Sequence, residues 1–104
     1  MNWTEEEETI CCKAVVKEYV YSKSSKDIEL FLREIRKNAV FSERKRDSGS
    51  IKMRLQNIKA VLGEFGVENT LPLSELLNAS SQTRQTLAQE LQNAGIKYPK
   101  EKSK

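Results

Sequence analysis

Lys52, Arg54, Gln56, Asn57 and Lys59 fall within eight residues of one another in the stretch SGSIKMRLQNIKAVLGEFG, residues 48–66. These side-chain types are the ones that nucleic-acid contact requires. Lysine and arginine neutralise phosphates or donate to guanine O6 and N7, and the amides of asparagine and glutamine pair with adenine N6 and N7. Just upstream, Arg44, Lys45 and Arg46 can grip a neighbouring phosphate backbone. Ser48, Gly49 and Ser50 bring backbone N–H groups to a helix start, where an anion is favoured. The candidate DNA-binding residues are therefore Arg44, Lys45, Arg46, Ser48, Ser50, Lys52, Arg54, Gln56, Asn57 and Lys59. The same residue types on the outer side of a helix also serve as a plain solvated face, and Asn57 can hydrogen-bond across to another helix.

Other chemistry finds little to work with. The chain has no histidine, which removes the commonest general base and the commonest metal ligand. Cys11 and Cys12 are adjacent, and neighbouring side chains on a helix point about 100° apart. They read as small apolar fillers, not as a disulfide or a zinc site. The carboxylates of Glu5 to Glu8 follow Thr4 directly. Thr4 with Glu7 three residues on is a capping box, and the acids favour the positive end of the helix dipole. No phosphate-binding glycine loop or nucleophile motif is present. The expectation is a non-enzyme with no cofactor and no metal.

The elements that must position the polar cluster follow from periodicity. A first helix starts at Thr4 and runs through Ile10, Ala14, Val15, Val16, Tyr19 and Val20. Its C-terminal half is apolar on most sides, so it should sit centrally, although the run from Val15 to Tyr21 is β-prone and a strand is the rival reading. Ser24 and Asp27 can start a second helix carrying Ile28, Phe31, Leu32 and Ile35 at helical spacing, with Arg36 and Lys37 at its end. Residues 42–49, SERKRDSG, read as a solvent-facing loop. The third helix begins near Ser48 or Ser50 and buries Ile51, Leu55, Ile58, Leu62 and Phe65. That leaves Lys52, Gln56, Lys59 and Gly63 on the opposite flank, with Arg54 at the edge of the apolar face. Gly66 fits a C′ position with Val67 packing back. A short helix over Leu73–Leu77 and a last helix capped by Asn78, Ser80 or Ser81 complete the set, ending at Gly95.

The fold class expected is all-α: a compact bundle of four to five short helices, helix-turn-helix-like. Residues 1–96 form one domain, and 97–104 a disordered basic tail. The chain has 104 residues, 38% hydrophobic and 32% charged, with a net charge of +3. No apolar run approaches the roughly 20 residues that span a bilayer. The N-terminus has the wrong charge for a signal peptide, so a cytoplasmic location and no membrane partner are expected. Charge is unevenly placed: residues 4–8 are acidic and residues 33–59 form a basic block, a distribution that favours an anionic partner.

WTEEE near the start, followed by Gly49, Ser50, Ile51, Met53, Arg54, Gln56, Asn57, Ile58, Ala60, Val61, Leu62, Glu64 and Gly66 in the string above, resembles the N-terminal helical module of bacterial HNH-type, modification-dependent restriction endonucleases and related defence proteins. The resemblance covers roughly residues 3 to 92, most strongly 48 to 66. It implies a DNA-associated module in a bacterial or phage restriction setting, beside a nuclease domain or partner protein. After Gly66 the chain departs from the Pro/Gly-rich link that is usual there. The expected function is a non-catalytic DNA-binding module that reads DNA through helix 48–65. The alternative is a protein-binding adaptor or inhibitor of a nucleic-acid-processing complex, of anti-defence type. The +3 charge speaks against mimicry of DNA.

Overall fold

The computed structural model describes residues 2–98 and contains five α-helices. Helix α1 spans Glu5–Val15, and its start is the expected capping box. The Glu7 amide donates to Thr4 Oγ1 at 3.1 Å, and the Thr4 amide donates to Glu7 Oε1 at 2.8 Å. The helix continues as a π-helical segment, Val16–Tyr21, and no strand forms among the described residues. The β-prone residues are thus kept helical by their burial, with Val16, Tyr19 and Val20 in the core. The wider turn has a structural use. The Tyr19 carbonyl is left open and accepts the Thr70 amide at 2.9 Å, tying a distant segment to this helix.

Helix α2 spans Ile28–Arg36. Asp27 is its cap and accepts from the amides of Glu29 and Leu30, while Ser24 accepts from the Lys26 amide one turn earlier. Helix α3, Ala39–Arg44, starts on Asn38 and carries the buried Phe41. This corrects the expectation of a loop over 42–49: the helix runs to Arg44, and only Lys45, Arg46 and Asp47 connect it to helix α4. Phe41 is the reason, since its burial anchors that turn in the core.

Helix α4, Ser48–Glu64, buries Ile51, Leu55, Ile58, Ala60, Val61 and Leu62. It ends as expected at Gly66, whose φ of 71° lies in the left-handed region, with the Val67 amide donating to the Leu62 carbonyl at 2.9 Å. Residues 67–80 have no regular structure. The helix expected over Leu73–Leu77 does not form, because the segment's polar groups bond to helix α4 rather than to one another. Helix α5, Ser81–Asn93, is capped by Ser80. Helix α1 packs against α5 and α4, and α2 and α3 close the other side. The all-α bundle is therefore as expected. Of the tail, Tyr98 is in place and stacks on Phe65 with ring centroids 5.2 Å apart. Residues 99–104, also expected to be disordered, lie outside the described residues.

Candidate nucleic-acid interface

Helices α3 and α4 and the three residues between them bring the first candidates together. Arg44 and Arg46 do not point outward. Arg46 donates through Nε to Glu7 Oε2 at 2.7 Å, and Arg44 donates to the same oxygen at 3.1 Å. Both also donate to the Asn2 carbonyl, at 2.7 Å for Arg44 and 2.8 Å for Arg46. Glu7 is fully buried. Burial by itself would raise its pKa, but the Arg46 hydrogen bond, the Thr4 amide and the charges of Arg46 and Arg44 outweigh it and hold the carboxyl at about 2. Arg44 and Arg46 are thus clamps that fasten the α3–α4 turn to the start of α1.

Arg54 is engaged in the same way. Its Nη1 lies 3.0 Å from Glu8 Oε2 and 3.0 Å from Thr83 Oγ1, joining α4 to α1 and α5. Burial keeps the Glu8 carboxyl above its usual range despite the Arg54 charge and the Thr83 hydroxyl. The Trp3 ring lies within 4.8 Å of the Arg46 guanidinium and 4.7 Å of that of Arg54. Contacts of this kind add to stability when they are shielded from water.

The flank of α4 expected to be bare is covered over most of its length by residues 69–77. Gln56 Nε2 donates to Ser74 Oγ at 3.2 Å, and Asn57 Nδ2 to the Leu76 carbonyl at 2.7 Å. Lys59 Nζ donates to Asn69 Oδ1 and to the Leu71 carbonyl, both at 2.9 Å. The physical reason is that an irregular segment must satisfy its own backbone groups, and the helix offers the donors it needs. Ser50 is half-buried and its amide is taken by the Asp47 carboxylate at 2.8 Å, so it is not an open phosphate contact.

Lys45, Ser48 and Lys52 remain at the open end of the helix. Lys45 and Lys52 are exposed. Ser48 accepts from Arg36 Nη1 at 3.1 Å, and Lys52 stands one helical turn beyond it. Beside them is an open cleft of about 510 Å³, lined by Arg33 and Arg36 of α2, by Lys37 just after it, by Phe41 and Ser42 of α3, and by Lys45, Arg46 and Asp47 of the turn. The side chains of Arg33, Lys37 and Lys45 have no partner among the described residues. Among the described residues Asp47 supplies the only carboxylate of that lining, and it is turned to cap α4.

In the sequence Arg36 and Lys37 carry only the signal of favourable charges at a helix end, and nothing marks Arg33 as part of a site. Glu7 and Glu8 carry the pattern of capping residues, yet the fold also buries them. A signal for their burial was present: Glu7 and Glu8 lie four residues before Cys11 and Cys12, and these precede Val15 and Val16, so all six share one inward helical face. Comparison of the chain with family models, with curated proteins and with solved structures found no match.

Proposed function

We propose that the chain is a non-catalytic DNA-binding module that docks on a phosphate backbone through the cleft between the end of α2 and the start of α4. The observation that carries this reading is the convergence of Arg33, Arg36, Lys37 and Lys45 on one open cleft beside a single acid. A short helix, a three-residue turn and a long helix stand there in chain order. In helix-turn-helix proteins the first residues of the second helix approach the duplex while the preceding helix crosses the backbone. The non-catalytic part of the reading is supported by the chemistry of the interior. The chain lacks histidine, the two most deeply buried carboxylates, Glu7 and Glu8, are engaged by arginines, and burial pushes the Cys11 and Cys12 thiols well up, away from nucleophilic thiolates. The restriction or defence setting rests on the resemblance of residues 48–66.

The test is fluorescence anisotropy with a short duplex across a salt series. Four neutralised phosphates imply that affinity falls about a hundredfold between roughly 50 and 200 mM salt. A Lys37→Ala, Lys45→Ala double variant should lower affinity and lose about two from the slope. An affinity indifferent to salt, or to both substitutions, would refute the reading.

A second reading, the protein-binding adaptor or inhibitor, draws on Met53 and Leu77. Their relative exposures are 56% and 65%. Asn57, one turn beyond Met53 on α4, donates to the carbonyls of Leu76 and Leu77 and so holds the Leu77 backbone near that helix. In that reading, duplex binding is absent even at low salt, and Leu77→Ser rather than the lysine substitutions abolishes activity.

A further inference from the structure

We infer that the cleft takes double-stranded DNA by its phosphates and without regard to base sequence; the inference rests on the function proposed above. Base readout by a helix requires a row of unengaged polar side chains along one face, since each pairing needs the full fork of an amide or guanidinium. Along α4 that row would run Ser48, Lys52, Gln56, Lys59. It closes after Lys52. Gln56, Asn57 and Lys59 already donate to Ser74, Leu76, Asn69 and Leu71. Arg54 is held by Glu8 and Thr83, and its Nε is sealed from solvent.

What remains is a set of cations on three separate pieces of chain: Arg33, Arg36 and Lys37 at the end of α2, Lys45 in the turn, and Lys52 on the first turns of α4. Arg33, Arg36, Lys37 and Lys45 line one open cleft and Lys52 is exposed outside that lining; charges spread in this way match a strand of phosphates rather than a row of base edges. Binding of single strands uses exposed aromatic rings on which bases stack. The cleft offers none. Phe41 is only 1% exposed, and the exposed Tyr21 lines a different recess with Lys13 and Lys17.

The experiment is competition anisotropy with the full chain at fixed low salt. The competitors are an alternating dA–dT duplex, an alternating dG–dC duplex, a mixed-sequence duplex and oligo-dT. The expected result is that the three duplexes compete within about threefold of one another, with a log–log salt slope of about −3.6 to −4.5 for four or five cations. Oligo-dT competes more weakly. Gln56→Ala and Asn57→Ala, each confirmed to be folded by circular dichroism at the assay temperature, leave affinity and ranking as they were. A preference of about tenfold or more for one duplex, particularly one erased by Asn57→Ala, overturns the inference. So does tighter binding of oligo-dT than of any duplex. If no duplex binds at the lowest salt, the DNA-binding reading itself falls, and that outcome is distinct from sequence preference.

Discussion

Replacing Glu7 by glutamine tests the clamp that fixes the α3–α4 turn. The substitution keeps an oxygen for the Thr4 amide, so the capping box can persist. It removes the charge that holds Arg44 and Arg46. Breaking a buried pair from one side costs about 3–5 kcal/mol, because the remaining charges lose their counterion. The pKa offers a second route to the magnitude. A carboxyl held at about 2 against an ordinary 4.5 is worth up to about 3 kcal/mol. The 30% exposure of the Arg44 side chain admits some screening, so about 2–3 kcal/mol is expected at neutral pH. The sign follows from the depressed value. The contribution is complete above the unfolded pKa and is lost as pH falls through 4.5 towards 2. Urea unfolding of both proteins across this range should show a constant gap from pH 7 to about 5 that closes on further acidification. A gap below about 1 kcal/mol at pH 7, or one that persists undiminished at pH 2, would show that the carboxylate charge is not what secures the turn.

Glu8→Gln should shift the pH profile the other way. Burial raises the Glu8 pKa, so the wild type loses stability relative to the variant as pH rises above 4.5, readable in the same unfolding series. Leu55→Ala removes a fully buried side chain from α4 and should cost about 2–5 kcal/mol in urea unfolding. Gly66→Ala forces a β-carbon onto a φ of 71° and should cost about 1 kcal/mol or more. Gly63→Ala should instead raise the melting temperature, by a gain of up to about 1 kcal/mol in helix propensity. The only atom a β-carbon meets closely there is Glu75 Oε2, 2.8 Å away at the end of a flexible, exposed side chain that can swing aside.

Local patterns were legible in the sequence wherever one short stretch carries the whole signal. Thr4 and Glu7 cap each other, Ile51, Leu55, Ile58 and Leu62 repeat at helical spacing, and Gly66 and Gly95 end their helices with Val67 and Ile96 packing back. Polar contacts between distant segments have no such period. Nothing around Asn57 announces that Leu76 will take its amide, and nothing around Arg46 marks Glu7, 39 residues earlier, as its acceptor. The basic character of residues 33–59 was visible. Which of its members would be consumed internally was not, because that depends on where residues 69–77 lie. The stretch Leu73–Leu77 shows the same limit. Its leucine spacing suits a helix, but unsatisfied backbone groups found better partners on α4.

The single tryptophan of the chain sits against the guanidinium groups of Arg46 and Arg54. Its emission is therefore an intrinsic optical probe of the junction between α1 and the α3–α4 turn. A ligand that tugs on this turn should alter indole brightness or wavelength without any attached dye, whereas rearrangements confined to residues 69–77 should leave the signal dark to them.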